Sequence, residues 1–154
     1  MVKIGDKAPE FALKDQAGNI VKLADLRGKK VLLSFHPLAW TRVCAEQMKS
    51  LEANYQTFAD LNAVALGFSV DSVPCKRAWA KELGIEKTRL VADFWPHGEA
   101  AKLCGIFRES DGYSERANIL LDESHKVVFI KIYPIPQLPD IIEIIQILKS
   151  VSKG

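Results

Sequence analysis

Cys44 stands where a thiol becomes reactive. The stretch Ser34-Phe-His-Pro-Leu-Ala-Trp-Thr-Arg-Val-Cys44 follows an apolar run, Val31-Leu-Leu, that reads as a buried strand. A strongly helical stretch, Ala45 to Phe58, comes next. A cysteine at such a junction lies in the first turn of a helix, where unpaired N–H groups and the positive end of the dipole favour an anion. With a cation nearby, that environment lowers a thiol pKa from about 8.5 toward roughly 3.5–7.5. The product is a nucleophile. Pro37 and Thr41 share the loop in the spacing Pro-x-x-x-Thr-x-x-Cys. Pro37 would stiffen it and shield the thiolate from water, and the Thr41 hydroxyl can fix a reacting oxygen in line with the sulfur. The plainer reading is a helix start with an incidental buried thiol. Three such residues at fixed spacings directly after a core strand argue against it.

The elements that must position this loop are legible from periodicity. The opening stretch Gly5 to Lys14 before Asp15-Gln-Ala-Gly-Asn19, and Ile20-Val-Lys-Leu23 after it, read as two short strands joined by a Gly-Asn turn. Ala24 to Gly28 is a single helical turn or a loop. The helix after Cys44 places Met48, Leu51 and Tyr55 on one face. Ala63 to Val70 is apolar nearly throughout, so both its faces should be covered. Asp71-Ser-Val-Pro74 caps a helix that runs to about Leu83-Gly84. Arg89 to Ala92 is a short strand, His97 to Cys104 a weak helix, and Glu109 to Tyr113 a turn. Ala117 to Leu121 and Lys126 to Ile132 form a hairpin. The last helix, Asp140 to about Val151, carries an isoleucine-rich stripe that reads as core packing. This order predicts an α/β protein with a central mixed β-sheet and helices on both faces, and it resembles the thioredoxin-like fold.

At 154 residues we expect one domain, 1–154, with no repeats or linkers. Nearly half the residues are apolar, and the net charge of +2 gives no reason to expect nucleic acid. The most basic stretch, Arg27-Gly-Lys-Lys30, reads as a solvated turn. The N-terminus turns polar before any secretory apolar region forms, and the apolar runs fall short of the ~20 residues of a membrane helix. Three cysteines, an odd number, argue against a disulfide framework, so a cytoplasmic protein is expected. His36, His97, His125 and the cysteines show no paired ligand spacing, so neither a metal nor another cofactor is expected.

Pro37, Thr41 and Cys44 together resemble the active-site signature of the peroxiredoxins, the thiol peroxidases of the thioredoxin superfamily. Val2 to Leu13, Gly67-Phe-Ser-Val-Asp-Ser-Val and Ala78-Trp-Ala are also similar to that family, so the likeness covers residues 2 to about 132. It extends to Glu115-Arg116-Ala-Asn-Ile-Leu-Leu-Asp122, which resembles a segment whose arginine opens a strand beside the active-site loop. The resemblance implies that Arg116 supplies the cation, presenting its planar fork to thiolate and substrate. Three positions depart from the family's pattern. His36 replaces a common tyrosine and Trp40 a common phenylalanine, both expected at the pocket lip. Gln47 replaces a frequent glutamate, whose acceptor role an amide oxygen can still fill.

The resemblance further implies reduction of hydrogen peroxide and organic hydroperoxides through a cysteine sulfenic acid, recycled by thioredoxin or a similar dithiol. The chain stops near its final helix, so no long tail is expected to carry a resolving cysteine across a dimer. Lys49 stands where a short-spaced resolver would be. Cys75, at a helix start where it could be exposed and mildly acidic, is the favoured candidate. Cys104, among apolar residues, reads as core. An outside thiol could resolve instead, and a homodimer is possible. Two other readings stay open: a thiol–disulfide oxidoreductase, which the absence of C-x-x-C disfavours, and a non-catalytic thioredoxin-fold module, which should have a damaged trio.

Overall fold

A computed structural model describes residues 1–151. Its centre is a five-stranded mixed sheet. Strand β3 (Lys30–Phe35) pairs in parallel with β4 (Ala63–Ser69), which pairs in parallel with β5 (Arg89–Ala92). On its other edge β3 pairs antiparallel with β8 (Arg116–Leu121), which carries the edge strand β9 (Val127–Tyr133). The spatial order is therefore β5-β4-β3-β8-β9. The expected central mixed sheet forms; the structure puts β3 at its middle, and the neighbouring β8 brings Arg116 to the end of the strand that leads into the Cys44 loop.

Alternation along the strands divides the core in two. Val31, Leu33 and Phe35 of β3 pack with Ala117, Ile119 and Leu121 of β8. That face is closed by the hairpin of β1 (Ala12–Lys14) and β2 (Ile20–Lys22) and by helix α4 (Glu99–Cys104). Leu32 and Leu120 point the other way, toward helices α1 (Arg42–Ala53), α2 (Tyr55–Asp60), α3 (Val73–Leu83) and α5 (Ile141–Val151). Each strand thus contributes to both clusters with the two-residue period of a pleat. On α5 the buried residues are Ile144, Ile145 and Leu148, the stripe that the sequence placed in the core. No helix among the described residues is long and apolar enough to cross a membrane.

Several local expectations need correction. The helix after Cys44 is broken into α1 and α2 at Asn54, whose backbone leaves the helical region and whose Nδ2 donates to the Ser50 carbonyl oxygen. An asparagine that bonds the backbone in this way competes with helix continuation. A short hairpin, β6 (Phe107–Arg108) with β7 (Tyr113–Ser114), flanks the expected turn. Lys30 is not a solvated residue: it is buried at the start of β3 and pairs with Glu123 at 3.5 Å. Within Asp71-Ser-Val-Pro, Ser72 is the cap of α3, accepting from the Cys75 N–H.

Candidate active site

Cys44 is the third residue of α1 and is fully buried. The helix begins where it does because Thr41 adopts an extended backbone while its carbonyl oxygen accepts from the Ala45 N–H. The loop before it is pinned at several points. Trp40 has a φ of 68°, a left-handed conformation rare for a large side chain. On one side of it the Ala39 N–H donates to Asp71 Oδ2 at 2.8 Å, and that oxygen also accepts from Ser69 Oγ at 2.6 Å. On the other side the Thr41 hydroxyl donates to the Leu38 carbonyl oxygen at 2.8 Å. Such over-determination is what holds an unfavourable backbone conformation in place.

Arg116 enters from the first residue of β8 and is itself buried. Its Nη1 lies 3.4 Å from Cys44 Sγ. The same nitrogen donates to Gln47 Oε1 at 2.7 Å, while Nε donates to the Ile135 carbonyl oxygen at 2.8 Å. Gln47, one turn beyond the start of α1, is in turn oriented by its Nε2, which donates to Ser34 Oγ at 2.8 Å and the Phe35 carbonyl oxygen at 3.2 Å. A buried guanidinium with two fixed acceptors is a preorganised cation, and an anionic sulfur beside it gains far more than it would in water. Above the sulfur opens a pocket of about 260 Å³. Its lining includes Pro37, Thr41, Cys44, Arg116, Tyr113 and Ile135.

The structure therefore gathers Pro37, Thr41, Cys44 and Arg116 around one cavity. Pro37 is buried, and Thr41 is exposed at the rim with its hydroxyl proton committed to Leu38 rather than to the sulfur. Its oxygen remains free to accept. The sequence reading missed the Asp71 anchor and the Ile135 carbonyl. It also misplaced His36, which is no part of the pocket lip: it is fully buried at the end of β3, with its ring against Trp79.

Cys75 lies elsewhere, in the first turn of α3, half-buried and packed against the same core cluster as Cys44. The expectation that it would be mildly acidic fails. Burial and the Asp71 carboxylate, whose Oδ1 is 3.8 Å from Sγ, push its thiol up from the ordinary value. An anion at i−4 outweighs the helix start. Cys104 is buried at the end of α4, and burial together with Asp93 pushes its thiol up to about 12. All three cysteines are free thiols.

Residues 4–130 match the AhpC/TSA family. Alkyl hydroperoxide reductase E of Mycobacterium tuberculosis is 36% identical over 130 residues, 84% of each chain. Peroxiredoxin 2 of Thermoplasma acidophilum is 31% identical over 154 residues, 97% of this chain and 76% of its own. Among solved structures, reduced 2-Cys peroxiredoxin of Plasmodium vivax superposes with a TM-score of 0.89 at 27% identity, covering 99% of this chain and 83% of the other. AhpC of Enterococcus faecalis gives a TM-score of 0.90 at 23% identity over 98% and 93% of the two chains, a likeness of fold. The family match spans most of the molecule, Pro37, Thr41, Cys44 and Arg116 included, and the chain belongs to the AhpC/TSA family, the peroxiredoxins.

Proposed function

We propose that this thiol-dependent peroxidase works through Cys44 as the peroxide-reducing nucleophile, with Arg116, Thr41 and Pro37 as its supporting residues. The observation that carries the reading is the 3.4 Å contact between Arg116 Nη1 and Cys44 Sγ at the floor of an open pocket. The Cys44 thiolate attacks the nearer peroxide oxygen. An S–O bond forms, the O–O bond breaks, and the leaving oxygen departs as hydroxide or alkoxide and takes a proton. Arg116 stabilises charge on sulfur and on the oxygens as it moves. The Thr41 oxygen accepts from the terminal peroxide O–H and so fixes the line of attack. Pro37 keeps water from the sulfur. Leu38, Val43, Tyr113, Ile135 and Pro136 give the mouth of the pocket an apolar wall, which suits an alkyl hydroperoxide as well as hydrogen peroxide.

In the second half of the cycle Cys75 attacks the sulfenic sulfur, within a chain or between two copies, and a thioredoxin-like dithiol reduces the resulting disulfide. Both thiols sit in first turns of helices, where opening free energies are low, so local unwinding can bring them to bonding distance. On this reading residues 1–154 act as one domain, the assembly is a homodimer, and the compartment is the reducing cytoplasm.

The deciding experiment is Cys44→Ser, assayed for peroxide consumption with a thioredoxin-coupled system. Turnover should vanish while circular dichroism stays unchanged. Substantial residual peroxidase activity would sink the assignment.

A further inference from the structure

Asp71 stands between β4 and α3, one residue before the cap of the helix. A carboxylate at such a place ordinarily caps the helix itself, but here Ser72 accepts from the Cys75 N–H and leaves both oxygens of Asp71 to other partners. Those oxygens serve two different parts of the site. Oδ2 accepts from Ser69 Oγ at 2.6 Å and from the Ala39 N–H at 2.8 Å, within the loop that leads to Cys44. Oδ1 accepts from the Cys75 thiol, whose sulfur is 3.8 Å away. One half-buried side chain thus touches the loop of one cysteine and the sulfur of the other. The loop depends on that contact. Ala39 directly precedes Trp40, whose φ of 68° lasts only where neighbours impose it. The bond from the Thr41 hydroxyl to Leu38 lies within the loop, whereas the bond to Asp71 ties the turn to the body of the protein.

We propose that Asp71 is a positioning residue that interlocks the two thiols: through Ala39 it keeps the Cys44 loop in the form that reacts with peroxide, and through its other oxygen it retains the Cys75 thiol on α3 until that loop lets go. The Cys75 proton is directed at a carboxylate, and a negative charge beside the sulfur disfavours a second one there. Cys75 is therefore a poor nucleophile while the first step proceeds. Once Cys44 is a sulfenic acid and the first turn of α1 unwinds, the Ala39 N–H leaves Oδ2, and the carboxylate loses one of the two donors that fix this oxygen. It then turns away from Cys75 toward water, and the thiol sheds its proton. The thiolate forms the S–S bond as the S–O bond of the sulfenic acid breaks. The departing hydroxide takes up the shed proton and leaves as water. One side chain thereby sets the order of the two steps. The inference rests on Cys75 as resolver, whereas both contacts of Asp71 can be tested without turnover.

Two substitutions at this one position separate its two contacts. Asp71→Asn keeps an oxygen that accepts from Ala39 and Ser69, and puts an N–H donor in place of a charge beside Cys75. Asp71→Ala removes both contacts. Two rates are read near neutral pH: stopped-flow oxidation by hydrogen peroxide, and alkylation of Cys75 by iodoacetamide in the Cys44→Ser protein, mapped by mass spectrometry. Cys75 is half-buried rather than enclosed, so the reagent has access. Asp71→Ala should slow the peroxide step by about 10- to 100-fold, as displacement of a reacting group does. Asp71→Asn should recover most of that loss. Both variants should alkylate Cys75 about tenfold faster than the parent, since the charge that holds the proton is gone. After a single dose of peroxide, Asp71→Ala should also form the Cys44–Cys75 disulfide faster than the parent. A peroxide rate in Asp71→Ala equal to the parent's, or one in Asp71→Asn as low as in Asp71→Ala, overturns the proposal. So does alkylation of Cys75 at the parent's rate in Asp71→Asn, an arm that decides alone if Asp71→Ala does not fold. Normal thioredoxin-linked turnover in Cys75→Ser would instead remove the resolver reading, and with it the ordering of steps, while leaving both rates as expected.

Discussion

One nitrogen of Arg116 serves both the Cys44 thiol and its scaffold: Nη1 is 2.7 Å from Gln47 Oε1 and 3.4 Å from Cys44 Sγ. Cys44 and Gln47 are three apart on α1, so the helix sets the spacing between the two acceptors and Arg116 bridges them. The amide's other end holds Ser34 and Phe35 of β3. Helix, strand β3 and strand β8 are thus tied at one point, beside the Cys44 sulfur.

That geometry makes the amide worth testing. Gln47→Leu leaves Ser34 Oγ, the Phe35 carbonyl oxygen and Arg116 Nη1 each short of a partner. We expect a loss of about 1–3 kcal/mol in urea unfolding and a slower stopped-flow reaction with peroxide, because Arg116 is no longer held. Gln47→Glu, which keeps an acceptor toward Arg116, should react faster than Gln47→Leu. Arg116→Met should cost about 10²–10³ in rate, as loss of a preorganised donor does. Arg116→Lys should recover little of it, since an ammonium cannot span Cys44, Gln47 and Ile135 together. An unchanged rate in Gln47→Leu alongside lowered stability would make the amide purely structural.

Much of this was legible in the chain because the signals are local. The apolar run Val31-Leu-Leu, the loop with Pro37, Thr41 and Cys44, and the stripe on α5 each fall within a few residues of one another, and the structure forms them nearly where periodicity places them. What was not legible depends on residues distant in sequence. Arg116 finds the Ile135 carbonyl 19 residues away and Gln47 69 residues away. Asp71 anchors Ala39 across 32 residues. Cys75 was misjudged because a helix start promises acidity, while the carboxylate four residues earlier, visible in the sequence, was not weighed against it. Lys76 left a usable signal: with Trp79, Ala80 and Leu83 it lies on the i, i+3, i+4, i+7 stripe of α3, a position where a lysine should be suspected of burial.

Gly67 tests how tightly α1 is packed on the sheet. A Cβ built there would collide with Met48 Sδ and press on Leu90 Cδ2 at 3.2 Å. Met48 is fully buried and lies one turn beyond Cys44. Gly67→Ala should therefore destabilise the fold by about 1–3 kcal/mol through overpacking. Met48→Ala opens a cavity at the same spot, so the double variant should lose less than the sum of the two single losses in urea melts. Simple additivity would show that the sheet gives way elsewhere.

The roles of the two other cysteines separate kinetically. Cys75→Ser should leave the first oxidation by peroxide as fast as before, stall turnover with thioredoxin, and expose Cys44 to sulfinic and sulfonic acid formation, visible as added oxygen masses. Cys104→Ser should alter none of these, since its thiol is buried and held near 12. Peptide mapping that joins Cys44 to Cys104 would reverse the two assignments.

Lys76, fully buried on α3, should leave a signature in the pH dependence of stability. Its amine titrates near 7 in the folded protein and near 10.4 when unfolded. Between those values the unfolded chain binds more protons, so this residue makes stability rise with pH, by at most about 1.4 kcal/mol per unit. Below the lower value both states hold the proton, and the penalty for burying the charge is present in full. As pH rises toward the unfolded value the penalty is relieved. Lys76→Met removes the titrating group while keeping an unbranched side chain of similar size. The variant should be more stable than its parent at about pH 6, and its advantage should shrink steadily from about pH 7 to about 10. Urea midpoints measured for both proteins across that range supply the check, with other titrating groups cancelling in the difference. A gap between the two proteins that stays constant with pH would mean that the folded amine keeps its proton across this range as the unfolded one does, and the buried amine would have to be charged throughout.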